Sequence, residues 1–137
     1  MKRLILAMGL FAASVSAPLH AQSMDMRGNI PFDFRIGSTV LPSGEYSIHH
    51  SGDMLFVRQI AGGNKGGFFL TIGEDHPATA TEKATLQFNR YGDAYYLSKV
   101  WTPDSVTARA LPKTPREREL ASHAGRSGTA SVALRTK

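Results

Sequence analysis

Between Met26 and Trp101 apolar residues recur at every second position, and turn-forming residues interrupt them at short intervals. Such alternation marks strands with one buried and one wet face. In "NIPFDFRI", Ile30, Phe32, Phe34 and Ile36 alternate with Pro31, Asp33 and Arg35, which predicts one half-buried strand. Pro31 has no N–H to give to a ladder, so a strand start or a sheet edge is expected there. "LPSG" predicts a turn, because Pro42 presets φ and Gly44 tolerates a positive one. "EYSIHH", "MLFVRQI" and "FFLTI" read as further strands, separated by "SGD" and by the glycine-rich "AGGNKGG". After the polar loop "GEDHPATATEK", "ATLQFNRY" and "AYYLSKVW" form a hairpin through Gly92-Asp93. The expected fold class is all-β: a single antiparallel β-sandwich or small barrel of about six to seven strands, not an α/β fold.

Directly opposite residues in a hairpin share a face, so the pairing sorts the side chains. Around Gly92-Asp93, Arg90 opposes Tyr95, Phe88 opposes Leu97 and Leu86 opposes Lys99, giving a core face that extends to Trp101. The other face carries Gln87, Asn89, Tyr91, Tyr96 and Ser98. Amides interleaved with tyrosines can stack on and hydrogen-bond a sugar or extended polar ligand, which makes these five residues the candidate interaction surface.

The adjacent pair His49-His50 is the most conspicuous candidate for chemistry. Neighbours on a strand point to opposite faces, so the two cannot hold one metal ion without a bulge between them. With a two-residue turn at Gly52-Asp53 or Ser51-Gly52, Tyr46, Ile48 and His50 share a face with Leu55 and Val57. His49 falls on the other side with Ser47, Phe56 and Arg58, and neither ring is expected to meet Asp53 or His76.

Beyond Trp101 the character changes. Residues 22–108 form the β domain, residues 109–124 a loop and short helix docked on it, and residues 125–137 a disordered basic tail or at best a weak last strand. In "TPREREL", Thr114 is a helix N-cap, Pro115 suits the first helical position, and Glu117 stands where a capping box requires it. Leu120, Ala121 and Ala124 form a narrow apolar stripe, and Gly125 ends the helix.

The N-terminus refines the picture. Lys2 and Arg3 precede an uncharged run from Leu4 to Val15, long enough for a signal-peptide h-region and short of the ~20 residues a bilayer-spanning helix needs. Residues 1–21 are therefore read as a signal peptide cleaved after Ala21, and the protein as exported to the periplasm or beyond. The mature chain has no transmembrane segment on this reading. The chain has no cysteine, so neither a lipid anchor on cysteine nor a disulfide is available, and an apolar core must supply stability. The net charge of +5 is unevenly placed. Residues 22–108 hold 7 basic against 9 acidic residues, and residues 109–137 hold 7 against 2. A near-neutral body with a basic tail is not the footprint of a nucleic-acid-binding domain.

Catalytic and metal-binding patterns are weak. "EDH" at Glu74–His76 is the densest cluster of ligand types, but it sits in a polar loop, and no metal site is assigned. No G-x-S-x-G elbow is present, and "GGNKGG" lacks the spacing of a phosphate-binding loop. No cofactor and no enzymatic activity are expected.

The phrases "NIPFDFRIGSTVLPSGEYSI", "LQFNRYGDAYYLSKVWTP" and "LPKTPREREL" together resemble those of a group of short, signal-peptide-bearing bacterial β-rich proteins of unassigned function. The resemblance covers Gly28 to Ala121. It implies a β-rich exported fold and supplies no catalytic residues. The resulting expectation is a non-catalytic envelope or extracellular protein acting through surface binding or assembly, with another copy or a cell-envelope polymer as partner. "MRGNIPFDFRI" is the expected edge for subunit pairing. The alternative is a ligand-binding sandwich or barrel for a carbohydrate or small apolar molecule.

Overall fold

The computed structural model describes residues 24–61, 63, 65–75, 83–103, 107–123 and 127–136. The signal-peptide assignment and the whole "HPATATE" stretch, His76 included, lie outside them. The described residues form a β-sandwich of two sheets with one short helix.

Five strands form the first sheet, in the order β12 (Arg135–Thr136), β1 (Met24–Ile30), β4 (Gly44–Ser51), β5 (Met54–Gln59), β6 (Gly66–Leu70). The second runs β11 (Ser127–Ala133), β8 (Thr85–Tyr91), β9 (Ala94–Trp101), β10 (Thr107–Ala110), β7 (Ile72–Asp75). The short hairpin β2 (Phe34–Ile36) and β3 (Thr39–Leu41) joins it, with β2 parallel to β9. The inner faces meet in one core, in which Met26, Ile30, Tyr46, Ile48, Leu55 and Val57 face Phe34, Ile36, Leu86, Phe88, Leu97 and Val100.

The predicted single strand "NIPFDFRI" is broken. Its first part belongs to β1 and its last three residues form β2 in the opposite sheet. Pro31 cannot continue the ladder, and the chain uses Pro31–Asp33 to cross the sandwich. Ile30, Phe32, Phe34 and Ile36 still all turn to the core, which is why the alternation looked uninterrupted.

Two runs switch sheets without a loop, as strands at sandwich corners do. Residues 66–75 are β6 and β7 with only Thr71 between them, so the expected strand "FFLTI" is divided and the start of the expected polar loop is β7. Residues 127–136 are β11 and β12 with Leu134 between them, in place of the expected disordered tail. Ala130, Val132 and Leu134 alternate inward. Ala130 lies opposite Phe88 and Val132 opposite Leu86, while Leu134 is buried and its N–H donates to the Ala84 carbonyl at 2.9 Å. Gly28 makes room for this corner, since a Cβ there would stand 2.4 Å from Leu134 Cδ2. Because β12 pairs with β1, β1 is an interior strand and not the expected pairing edge.

The β8–β9 hairpin keeps the expected register near its turn and loses it farther out. Phe88 opposes Leu97, but Leu86 opposes Val100, not Lys99, and Thr85 opposes Trp101. One extra residue on β9, a β-bulge, changes which side chains face inward. Val100 is buried, and Trp101 leaves the core face to reach Gln87 Oε1 at 3.4 Å. The bulge sits where β9 changes partner, with β2 beside Tyr96 and β10 beside Lys99 and Val100.

Candidate functional site

The five residues of the predicted polar face divide between two fates. Helix α1 (Pro115–His123) lies over that face. Its Glu117, 4% exposed, accepts hydrogen bonds from the Tyr91 hydroxyl at 3.1 Å and the Asn89 amide at 3.2 Å. Tyr96 is also buried, edge-on to Tyr91 and with the Arg35 guanidinium above its ring. Burial and the neighbouring Glu117 carboxylate raise the Tyr91 phenol above its ordinary pKa. Tyr91 and Tyr96 are thus buried, and Tyr91 and the half-buried Asn89 are tied to the helix through Glu117. Gln87 and Ser98 stay half-buried, with Gln87 on Trp101 and the Ser98 carbonyl accepting from the Leu111 N–H at 2.9 Å. An open groove of about 330 Å³ between α1 and β11 is bordered by Asn89, Tyr91, Lys113, Ala121 and Ser127–Thr129.

The helix starts as expected. Thr114 Oγ1 accepts from the Glu117 N–H at 3.2 Å. The other half of the capping box is not made, because the Glu117 carboxylate turns inward to Tyr91 and Asn89. Leu120 and Ala121 are half-buried, and Glu117 is the one residue of α1 that is fully buried. Ala124 lies outside the described residues.

The histidines separate as strand geometry requires. The turn is Gly52-Asp53, with Ser51 opposite Met54 and Gly52 at φ 58°. His49 is on the outer face, its Nδ1 2.6 Å from Asp25 Oδ1 on β1. His50 turns inward beside Leu55, and its Nε2 is buried without a hydrogen-bond partner. Burial and the Arg109 charge hold His50 below the usual imidazole pKa, and Asp53 opposes them only weakly.

Arg109 belongs to the corner at Thr71. Its Nε donates to Thr71 Oγ1 at 2.9 Å, and a terminal nitrogen donates to the Thr71 carbonyl at 3.0 Å and the Asp53 carboxylate at 2.6 Å. Thr71 in turn donates its N–H (2.8 Å) and hydroxyl (2.9 Å) to the Asp53 carbonyl. This network ties the β4–β5 turn, the sheet-switching residue and β10 together. Glu74 and Asp75, read as part of a loop cluster, are on β7, where they meet Lys99 and Thr107 respectively. Among the described residues no three His, Asp or Glu side chains gather as metal ligands, and no helix is long and apolar enough to cross a membrane.

The surface that sequence reasoning missed is the outer face of the first sheet near β6. Register places Asp25, His49, Phe56 and Phe68 in one row across four strands. His49 and Phe56 have centroids 5.6 Å apart and Phe56 and Phe68 5.0 Å apart, both edge-to-face. Phe68 ends the row 70% exposed, flanked along the chain by Leu70 at 69% and Ile72 at 62%. Beside Phe68 is a hollow of about 330 Å³ lined by Val57, Arg58, Gly66 and Gly67. In sequence "GGFFLTI" looks like a core strand. The signal for its outward side is that Phe69 and Thr71 already supply an inward set, leaving Phe68, Leu70 and Ile72 for the opposite side.

No family model matches the chain, and neither the curated proteins nor the solved structures provide a match.

Proposed function

We propose that this protein is an exported, non-catalytic β-sandwich that acts by binding through its surface, and that the β6 edge with its apolar side chains is the binding element. One observation carries the reading. Among the described residues β6 ends its sheet, bears no charged residue, and presents Phe68 and Leu70 largely to solvent. Soluble proteins usually blunt such an edge with charge, proline or a bulge. An uncovered apolar edge marks a place where another chain adds a strand or packs. The buried polar groups support a non-catalytic reading: Glu117 and Arg109 are spent on holding the helix and the corner. Export rests on the Lys2-Arg3 and Leu4–Val15 pattern, together with the resemblance to signal-bearing β-rich proteins.

The test compares the wild-type chain with Phe68→Lys and Leu70→Lys in cells. Medium, periplasm and envelope are separated, and the protein in each is sized on native gels. Wild type is expected to run in larger assemblies from which both variants are released. An identical distribution of all three would overturn the binding element. An intact mass that retains Met1 would overturn export.

A further inference from the structure

We propose that the partner at this edge is a second copy of the chain, paired antiparallel β6 to β6 about a twofold axis that passes beside Phe68. The inference rests on the edge-binding reading above and names its occupant.

Backbone direction comes first. The Gln59 N–H donates to the Lys65 carbonyl and the Thr71 N–H to the Asp53 carbonyl, both at 2.8 Å. Hydrogen-bonded and non-bonded pairs alternate along an antiparallel ladder. The odd residues of β6 therefore turn their backbone groups to β5. Gly66, Phe68 and Leu70 turn theirs to the open edge, and these same residues carry the outward side of the strand. A copy centred on Phe68 sets Phe68 opposite its own equivalent and Gly66 opposite the second copy's Leu70. All three are hydrogen-bonding pairs, so every free N–H and C=O of β6 finds a partner.

Side chains agree with that register. The row Asp25, His49, Phe56, Phe68 continues into the same row reversed, adding one more aromatic pair to a series that otherwise stops at the edge. A large residue meets a small one on each side, with the second copy's Leu70 entering the hollow beside Gly66 and Arg58. Each Arg58 row ends on the uncharged Leu70 and Met54 of the other copy, so like charges are not brought together. The other strand ends suit self-pairing less. β12 is two residues long and carries Arg135, β7 carries Glu74 and Asp75, β3 has three residues, and β11 exposes no large apolar side chain.

The area sets the strength. Phe68 and Leu70 from both copies can bury at most roughly 500 Å² of side chain, since the outer face of the joined sheet stays open, and backbone rims add to it. That falls short of the ~1,000 Å² at which specific complexes become stable, so the dimer is weak and concentration-dependent. A twofold, self-complementary patch closes after one contact and does not propagate into fibres.

The chain has no cysteine, which permits a register-specific test. In the proposed pairing the two Phe68 Cα atoms stand about 5.5 Å apart, a hydrogen-bonded position too wide at Cβ for a relaxed disulfide but within reach of a short thiol-reactive bifunctional linker. Purified Phe68→Cys is expected to cross-link into a dimer with a short thiol-reactive bifunctional linker. Leu70→Cys, which faces Gly66, and Val40→Cys, exposed on β3, stay monomeric. Sedimentation equilibrium of wild type is expected to show a monomer–dimer transition that Phe68→Lys abolishes, while the variant still unfolds cooperatively with a midpoint lowered only by the lost Phe56 contact. The proposal is overturned if the purified wild type remains monomeric at all concentrations. It is equally overturned if Phe68→Cys cross-links no faster than Val40→Cys. Should Phe68→Lys still release assemblies in cells while the purified protein is monomeric, edge binding stands and the second copy is the part that failed.

Discussion

Replacing Glu117 by alanine tests whether the helix is held by a buried carboxylate or merely by chain connectivity. Glu117 is almost entirely covered and accepts from both Tyr91 and Asn89. A hydrogen bond to a charged group contributes about 1.5–3 kcal/mol, and at 3.1 and 3.2 Å these two belong at the lower end. Truncation also leaves the buried Tyr91 hydroxyl without its acceptor, while removing a desolvated charge returns part of the loss. The net expectation is a destabilisation of about 2–3 kcal/mol for Glu117→Ala, read as a lower urea midpoint with an unchanged m-value. Glu117→Gln keeps the shape and one acceptor oxygen, so about half that loss is expected. The decisive measurement is the double-mutant cycle with Tyr91→Phe. If the carboxylate and phenol act on each other, the pair costs about 1 kcal/mol less than the sum of the single changes. Additivity within about 0.3 kcal/mol would refute the buried contact as the anchor of α1.

Three other outcomes follow from the two corners. Gly28→Ala drives a methyl into Leu134 and is expected to cost about 1–3 kcal/mol by urea denaturation, with Leu134→Ala in the same chain recovering part of it; no recovery would mean the two do not share that space. Arg109→Lys cannot reproduce the fork onto Thr71 and Asp53, so a loss of about 1–3 kcal/mol is expected, and a stability equal to wild type would show that the network holds nothing. His50 has a folded pKa below its unfolded value of about 6.5, so the unfolded chain takes up the proton first. Stability is therefore highest above that value, falls as the pH drops through it toward the folded pKa, and levels below. His50→Gln is expected to flatten this part of the urea-midpoint profile, and an unaltered profile would assign the dependence to other groups.

Much of the architecture is legible because alternation reports burial directly. Tyr46, Ile48, His50, Leu55 and Val57 fall on one face as read, and of the two turns the spacing allows, Gly52-Asp53 and Ser51-Gly52, the chain forms the first. Alternation does not report which sheet a strand joins. Ile30 and Phe34 point into the same core from opposite walls, so nothing in their spacing marks the crossing between them. The C-terminal strand was hard to see because its inward residues include small Ala130, which buries little area and weakens the contrast. The bulge on β9 leaves no trace in "YYLSKVW", and it alone moves Trp101 to the other face. The polar candidate surface is partly covered for a related reason: strand periodicity shows that Asn89 and Tyr91 leave the core, not that a helix beyond the sheet reaches them through Glu117.

The corners also explain why exposure concentrates at one edge. At the C-terminal corner, residues 127–136 pair with β8 and then β1, covering one side of both sheets with a mostly small and polar run. At the opposite corner the same manoeuvre is made by "GGFFLTIGED", whose inward needs are met by Phe69 and Thr71 alone. Phe68, Leu70 and Ile72 are then surplus to the fold: each could be polar without opening the core. The corner that fixes them is polar, built from Thr71, Asp53 and Arg109, with His50 close by. The first corner is fixed by Leu134 packed over Gly28. Apolar residues that the core does not use, Phe68 and Leu70 on β6 and Ile72 just past the switch, beside a corner held by a charged network, are the feature on which the proposed partner at that edge rests.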